Sequence, residues 1–378
     1  MDSLKKIREN NPIVFLWDNF GPMHIDRIDA VTRYYENVRL CVGIEEQSRS
    51  IVYDWRAEDR GNFQRITLAS EVTPSLFNRL LSLVRAEYKI GKADWFLCNY
   101  NLLHILLFAF WLWMRRRRVF LMGCSKFDDL PRSLPRELLK YLAFLPFQGA
   151  IASGKRSTDY FRFLGIKKVV GEYNTLSISR IRQSAGVPIA PDGDSYQSRN
   201  FIIVARLVTK KNLFLALEAF ALFKRLTDSN RKLLICGSGP LESALKLHAA
   251  GLKVDQSVVF EGFVQTEDVS QRLASSLALI LPSIEEQFGN VVIEAQAMGL
   301  PVLICEVCGA RDHLVRNWIN GFVFEPDNAE GLAQFMTLLD KDEDLWRRLC
   351  AGATATSSKG DVSLFVSAVT NLLGKRLS

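Results

Sequence analysis

Short apolar runs alternate with helical patterns along most of the chain. Strands buried on both faces of a parallel sheet are apolar runs of this kind. In the first half, strands are predicted at residues 13–17, 38–42, 51–55, 95–98, 119–122, 150–153 and 169–173. In the second half, they are predicted at residues 201–204, 233–236, 258–260, 278–281 and 301–304. The alternation predicts βα units that build mainly parallel sheets, the α/β class.

A break in this pattern divides the chain. Residues 184–199 collect glycine, proline, aspartate and serine without apolar periodicity, which indicates an interdomain linker. A chain of 378 residues is also long enough for two domains. We therefore predict an N-terminal domain at 1–183, a C-terminal domain at 200–360 and a final helix within 361–378.

The charge balance favours an anionic partner. A net charge of +7 and a pI near 9.0 suit nucleotide phosphates, anionic lipids or nucleic acid. Residues 95–114 carry no charge, but polar residues interrupt them, so we interpret them as a strand and an apolar helix at 102–114. Four consecutive arginines end that helix: Arg115, Arg116, Arg117 and Arg118. They form either a solvated helix end or a docking point for an anionic membrane surface.

The cysteines indicate a reducing compartment. Their number is seven, and they are scattered, which argues against a disulfide framework. Residues 1–11 are polar and charged, unlike a signal peptide, so we expect a cytoplasmic protein. Cys305 and Cys308 have the spacing of metal ligands but lack a second pair, and no zinc site is expected.

The strongest local motif is the segment at residues 286–302, EQFGNVVIEAQAMGLPV. Gly289 stands where a loop enters a predicted helix at 290–298, so backbone N–H groups and the helix dipole could meet a phosphate there. Phe288 and Asn290 flank it and are candidates for the same ligand. Glu294 lies among apolar neighbours, where an unpaired carboxylate costs several kcal/mol. A ligand diol could satisfy it, and a protein backbone group or arginine could do so equally well.

Two loops after predicted strands supply further candidates. Arg206 and Lys211 follow the strand at 201–204 and can bracket a diphosphate, although a solvated basic loop is the alternative. Gly237 and Gly239 form a small-residue turn after the next strand that could let the backbone approach a base or ribose. Val264 follows the strand at 258–260 as another candidate. The turn lacks the third glycine of a dinucleotide motif, which argues against a nicotinamide or flavin cofactor.

In these motifs, residues 201–340 resemble retaining glycosyltransferases of the GT-B fold, specifically family 4, also called group 1. The resemblance implies two Rossmann-like domains facing a central cleft, with the final helix packing back on the first domain. It also implies a nucleotide-diphosphate sugar of UDP or GDP type as donor, and no metal or other cofactor. Glu294 would bind the donor ribose, Glu286 the sugar hydroxyls, and Arg206 with Lys211 the diphosphate.

The first domain resembles the family only loosely. Many relatives carry a histidine after the strand that ends near residue 123, and this sequence has none there. Cys124, Ser125, Lys126 and Asp128 are the candidates to replace it. Asn19, Gly21 and His24 follow the first predicted strand as acceptor-side candidates, and an ordinary βα loop is the alternative.

Together with these residues, the resemblance implies a retaining, metal-independent glycosyltransferase. We expect it to add a sugar to a lipid-linked or polysaccharide acceptor in cell-surface glycan biosynthesis, such as that of lipopolysaccharide. It would act in the cytoplasm, peripherally on the inner face of the cell membrane, and would not bind nucleic acid. The rivals are another GT-B enzyme, such as a nucleotide-sugar epimerase or sugar phosphorylase, and a non-catalytic basic protein that binds membrane or nucleic acid.

Overall fold

The computed structural model describes residues 10–47, 60–69, 75–129 and 132–374. The chain divides into two compact units. Unit 1 comprises Met1–Leu176 and Val362–Ser378, and unit 2 comprises Ser177–Asp361. The division precedes the predicted linker, whose first residues complete a helix of unit 2.

Unit 1 contains a seven-stranded sheet in which neighbouring strands are parallel. Its strands are β1 (Ile13–Trp17), β2 (Cys41–Gln47), β3 (Gln64–Ala69), β4 (Asp94–Leu97), β5 (Arg118–Gly123), β6 (Gly149–Ala152) and β7 (Val169–Val170). The order is β3-β2-β1-β4-β5-β6-β7. The edge strand β3 was not predicted, because Gln64, Arg65 and Thr67 interrupt its apolar residues. The strand predicted at 51–55 lies outside the described residues.

Helices cover both faces of this sheet. In chain order they are α1 (Pro22–Tyr34), α2 (Leu76–Ile90), α3 (Leu103–Met114), α4 (Leu134–Ala143) and α5 (Gly154–Phe163). Leu83 of α2, Phe108 of α3 and Phe161 of α5 belong to the core on one face. Ile28 of α1 belongs to the core on the other face.

Unit 2 contains a six-stranded parallel sheet ordered β10-β9-β8-β11-β12-β13. Its strands are β8 (Phe201–Val204), β9 (Leu233–Cys236), β10 (Val258–Gly262), β11 (Ala278–Leu281), β12 (Val302–Cys305) and β13 (Gly321–Phe324). Three of them, β8, β9 and β11, have the predicted bounds. The edge strand β13 was missed, since its four residues follow a polar turn and start at a glycine.

The helices of unit 2 are α6 (Ile178–Ala185), α7 (Leu213–Leu226), α8 (Glu242–Gly251), α9 (Thr266–Ala274), α10 (Val291–Ala297), α11 (Arg311–Leu314), α12 (Ala329–Lys341) and α13 (Glu343–Thr356). The chain then returns to unit 1 as α14 (Val362–Leu373), whose Phe365 and Val369 complete the core beside α1. Across the described ranges, every helix is too short or too polar to cross a bilayer.

The strand orders mark one special position in each sheet. In unit 2, successive strands add outward from β8 in one direction and from β11 in the other, so the order reverses between these neighbours. In unit 1, the reversal falls between β1 and β4. Open parallel sheets bind ligands beyond the carboxyl ends of the strands at such a switch point.

Candidate active site

Two loops are joined at the switch point of unit 2. One follows β8 and includes Lys210 and Lys211, and the other follows β11 and runs through Ser283 and Ile284. The backbone N–H of Ile284 donates a hydrogen bond of 3.0 Å to the carbonyl of Lys210. Because β8 and β11 pair in parallel, both loops leave the sheet at its carboxyl edge. The sheet therefore places the basic loop directly beside the start of the 286–302 motif.

Lys211 and Glu286 form an ion pair across these loops. Their side chains are 14% and 17% exposed, so the pair is mostly shielded from water but can still be reached. Ser283 adds a hydrogen bond of 3.4 Å from its hydroxyl to the same carboxylate. Two residues that the sequence analysis assigned to neighbouring parts of one ligand thus meet, although 75 positions separate them.

The loop from Glu286 to Asn290 is held by the segment that follows β12. The backbone N–H of Ala310 donates to the carbonyl of Phe288 over 2.9 Å, and the ring of Phe288 is buried. Gly289 has φ +105°, and a Cβ there would lie 2.8 Å from Cδ2 of Leu281. A side chain at this position would be strained and would crowd the strand end. The loop therefore needs glycine to turn toward α10.

The structure corrects the argument made for Glu294. The helix α10 has seven residues, and Glu294 is half-buried on the same side as the half-buried Val291. Positions three apart share a helix face, so this side of α10 is partly open. The fully buried polar residue is instead Gln296, which donates to the carbonyl of Leu314 over 2.7 Å. Partial exposure lowers the cost of the Glu294 carboxylate, and so short a helix contributes little dipole at Gly289.

The glycine turn after β9 packs closely against the backbone of the loop that follows β8. A Cβ at Gly237 would lie 1.8 Å from the carbonyl oxygen of Ala205, and one at Gly239 would lie 2.5 Å from that of Leu207. The backbone N–H of Leu207 also donates to Ser238 over 2.9 Å. The two glycines therefore let the loop carrying the half-buried Arg206 pack against the turn.

The last donor-side candidate, Val264, lies in a different loop from the others. Val264 lies half-buried in the loop between β10 and α9, at the same carboxyl edge of the sheet as the loops above.

Among the acceptor-side candidates of unit 1, His24 caps a helix. Its Nδ1 accepts a hydrogen bond of 3.0 Å from the backbone N–H of Gly21, the N-cap of α1, and its ring lies 4.9 Å from that of Trp17. Burial, together with the positive charge of Arg27, lowers the pKa of His24 to about 3. The imidazole is therefore neutral near pH 7. Asn19, half-buried in the same loop, contacts this ring through its backbone.

Lys126 and Asp128 lie together after β5. The Nζ of the buried Lys126 is 3.2 Å from Oδ2 of Asp128, and Arg156 of α5 approaches the same oxygen at 3.0 Å. Burial of Asp128 would raise its pKa, but the hydrogen bond and charge of Lys126, with the charge of Arg156, lower it below the ordinary value. This small group is net positive and suits an anionic ligand.

A second polar cluster of unit 1 was missed by sequence analysis. His104 at the start of α3 places Nε2 2.9 Å from both carboxylate oxygens of Glu46, and Arg79 approaches at 3.3 Å. Burial and the nearby charge of Glu46 raise the pKa of Asp18, which directly follows β1. The signal available in the sequence was the run Glu45-Glu46-Gln47, which continues an apolar strand with three polar residues that are all buried.

The arginine run after α3 is largely engaged within unit 1. Arg115 and Arg117 pair with the buried Glu87 at 3.3 and 2.8 Å. Arg118 pairs with the buried Asp94 at 2.5 Å. Three of the four arginines that the sequence offered to anionic lipid therefore neutralise interior carboxylates, and Arg116 is exposed.

All seven cysteines lie within the described residues, and none of them forms a disulfide. Cys308 is buried behind the site, with its Sγ 3.5 Å from the carbonyl of Ser283. In the described part of the chain, no three His, Cys, Asp or Glu side chains are grouped so that they could hold a metal ion.

Comparison with known proteins finds a family similarity in the region of the chain that contains these loops. Residues 193–355 match the family model of group 1 glycosyl transferases. An uncharacterized glycosyltransferase of Methanocaldococcus jannaschii is 33% identical over 132 residues, which make up 35% of this chain and 33% of that protein. The chain thus covers about a third of that relative's length. The matched region contains Arg206, Lys211, Glu286 and Glu294.

Solved structures resemble the chain over both units. HepE of Anabaena in complex with UDP and glucose gives a TM-score of 0.71 at 17% identity, covering 96% of this chain and 99% of that one. The lipopolysaccharide outer core galactosyltransferase WaaB gives 0.66 at 16% identity, with the same coverage. At such identity the likeness shows the fold: two parallel-sheet α/β units, as in GT-B glycosyltransferases. The family similarity is confined to residues 193–355, within unit 2 of this fold.

Proposed function

We propose that this protein transfers a sugar from a nucleotide-diphosphate sugar, of UDP or GDP type, to a glycan or lipid-linked acceptor. The observation that carries the proposal is the contact between Lys211 and Glu286 at the switch point between β8 and β11. It brings a fixed cation and a carboxylate to the place where open parallel sheets bind ligands. A nucleotide sugar needs both, a cation for its diphosphate and a hydrogen-bond acceptor for its sugar hydroxyls.

Lys211 and Arg206 would hold the diphosphate. Breaking the bond between the anomeric carbon and the phosphate oxygen leaves negative charge on that oxygen, and cations fixed beforehand stabilise it. Lys211 is held by its loop, and Arg206 is held where its loop packs against the Gly237 turn. Because these two cations can stabilise the developing charge, we propose that the transfer needs no metal ion or other cofactor.

Glu286 and Glu294 would bind the hydroxyl groups of the donor. The half-buried Glu294 would accept hydrogen bonds from the ribose, and Glu286 from the transferred sugar. Phe288, Gly289 and Asn290 would shape the loop between them, and Gly289 brings backbone close to the phosphate. Gly237, Gly239 and Val264 would border the nucleotide at the same edge of the sheet.

The proposed transfer retains the anomeric configuration. The acceptor oxygen attacks the anomeric carbon on the face from which the phosphate leaves, and its proton passes to the departing phosphate oxygen. One C–O bond forms as the other breaks, so the protein needs no nucleophile. Glu286 therefore positions the sugar in this scheme, and in the free protein its contacts with Lys211 and Ser283 hold the carboxylate at the site before the donor binds.

For the acceptor, we propose a lipid-linked or polysaccharide intermediate of cell-surface glycan synthesis, handled in the cytoplasm at the inner face of the membrane. The similarity in fold to a lipopolysaccharide galactosyltransferase and the net charge of +7 support this choice. Lys126 and Asp128 would face an anionic acceptor, with Asn19 and Gly21 beside it. The neutral, capping His24 would support that loop.

A thermal-shift panel of UDP, GDP, ADP and CMP sugars tests the donor. The matching ligand at 100 times its dissociation constant should stabilise the protein by about 2.7 kcal/mol. Glu294→Ala should abolish most of that shift, whereas Glu285→Ala, at an exposed position outside the proposed contacts, should leave it intact. A shift that survives Glu294→Ala would move the nucleotide site elsewhere. The absence of any shift would refute the donor proposal, and product analysis would separate transfer from epimerisation or phosphorolysis.

A further inference from the structure

The helix α4 exposes its apolar side to solvent. Five leucines lie outward along it and just beyond it: Leu134 is 83% exposed, Leu138 66%, Leu139 70%, Leu142 51% and Leu145 56%. We call these five residues the leucine face. Contiguous apolar surface of this kind on a folded chain marks a contact with a partner or a membrane.

The orientation of α4 is fixed by its polar side. Its one acidic residue, Glu137, is buried, and accepts hydrogen bonds from Lys140 over 2.9 Å and from the Tyr160 hydroxyl over 2.7 Å. Tyr141 packs so closely on Gly165 that a Cβ there would lie 2.4 Å from the Tyr141 ring. These contacts turn the acid inward, so the leucines stay outward.

The two faces of unit 1 differ in this respect. The core that includes Phe108 and Phe161 lies beneath helices whose outer sides expose several large apolar residues. They include Phe77 of α2 and Met114 of α3, which are 69% and 67% exposed. On the opposite face, the described residues of α1 and α14 contribute Tyr34 alone to the exposed large apolar side chains. Exposure of apolar groups is therefore concentrated on one side of the sheet.

The charges around the leucine face are positive. Residues 132–168 contain eight Lys and Arg against two acids, Glu137 and Asp159, a net charge of +6. Glu137 is buried, while Arg136, Lys155 and Lys167 are exposed. An apolar helix face flanked by basic residues binds at the boundary between lipid headgroups and acyl chains, and anionic lipid strengthens it. Protein interfaces concentrate their binding energy in Trp, Tyr and Arg, whereas leucine is under-represented there.

We propose that the leucine face inserts into the surface of an anionic membrane, with α4 lying in the plane of the interface. Docking then rests on α4, and the arginines after α3, which neutralise Glu87 and Asp94, contribute little. The leucine face belongs to unit 1 and contains none of the residues assigned to the donor. A test of membrane docking can therefore fail while the proposed sugar transfer holds, and the reverse is also true.

The test is flotation of the full chain with phosphatidylcholine vesicles, with and without phosphatidylglycerol, at low and high salt. The wild type should float with the anionic vesicles and lose most of this binding at high salt. Leu138→Gln with Leu142→Gln should weaken it by about tenfold or more, since both lie in the inserted face. Leu247→Gln, at a 76% exposed leucine of α8 in unit 2, is the matched control and should bind like the wild type.

Each other outcome would overturn the proposal. If the folded wild type floats with neither vesicle, or if the double variant floats as well as the wild type, the leucine face does not bind lipid. If the wild type is instead a dimer in solution that the double variant dissociates, and vesicles do not compete, the face contacts a second copy of this chain. Thermal unfolding of each variant shows that the fold is retained, as expected for exposed positions.

Discussion

Replacing Lys211 by methionine should weaken binding of the nucleoside diphosphate without unfolding unit 2. A hydrogen bond that involves a charged group contributes about 1.5–3 kcal/mol, or roughly 10-fold to 150-fold in affinity. The free protein must first separate Lys211 from Glu286, which reduces the net gain from ligand binding. Methionine, however, also leaves the carboxylate without its cation beside the diphosphate. We therefore expect the dissociation constant to rise by roughly 10-fold to 100-fold.

The reciprocal change at Glu286 should act in the opposite direction. Glutamine removes the ion pair that competes for Lys211 and a negative charge close to the phosphates. An ion pair of limited exposure contributes about 1 kcal/mol, so the affinity for the nucleoside diphosphate alone should rise by about fivefold. Affinity for the complete nucleotide sugar should not rise in parallel, because glutamine accepts hydrogen bonds from sugar hydroxyls less strongly than a carboxylate does.

Isothermal titration with UDP and GDP, and with their sugars, measures both effects. Lys210→Met and Glu285→Gln are the matched controls, since they make the same chemical changes one position earlier, outside the ion pair. Both should bind like the wild type. If Glu286→Gln weakens nucleoside diphosphate binding as much as Lys211→Met does, the pair is a structural brace. The assignment of Lys211 to the diphosphate would then be wrong.

Two further predictions concern stability. Gly237→Ala should destabilise unit 2 by more than about 2 kcal/mol in denaturant unfolding, because the added Cβ would overlap the Ala205 carbonyl. The control Gly251→Ala should change the free energy of unfolding by at most about 1 kcal/mol, because no atom lies within 4 Å of a Cβ at that site. The half-buried, neutral His24 favours folding above its unfolded pKa of about 6.5, so about 2 kcal/mol should be lost between pH 7 and 5. His24→Gln should remove this loss, and the exposed control His313→Gln should keep it; an unchanged slope in both variants would contradict the assignment.

The sequence predicted most of the strands that lie in the middle of a sheet, although it placed β2 at 38–42 and the strand runs from Cys41 to Gln47. The bounds of β1, β8, β9 and β11 agree with the prediction, because strands buried on both faces must be apolar throughout. The edge strands β3 and β13 were missed for the converse reason. A strand with one open edge tolerates polar residues, as β3 shows, and β13 has only three apolar residues after its first glycine, too short a run to mark a strand.

The sequence predicted which loops form the candidate site, but it did not predict which side chains of those loops contact each other. The order of βα units implies that loops after parallel strands meet at one edge, and this placed Arg206, Lys211 and Glu286 near each other. The contact between Lys211 and Glu286 depends on β8 lying next to β11, which no local pattern encodes. For Glu294, counting apolar neighbours overestimated burial, because the side of α10 that carries Val291 and Glu294 is only half-buried.

The sequence by itself determined the α/β class and the similarity of residues 193–355 to group 1 glycosyl transferases, since both depend on local spacing. Only the tertiary structure decided which charged side chains form ion pairs and which apolar side chains are exposed. The sequence suggests that the arginines after α3 form a solvated basic patch. In the folded structure they pair with the buried carboxylates of Glu87 and Asp94. By composition the leucines of α4 resemble core residues. In the structure they are exposed, because Glu137 on the other side of the helix is buried against Tyr160. Pairing and burial depend on neighbours distant along the chain, and only the folded structure contains them.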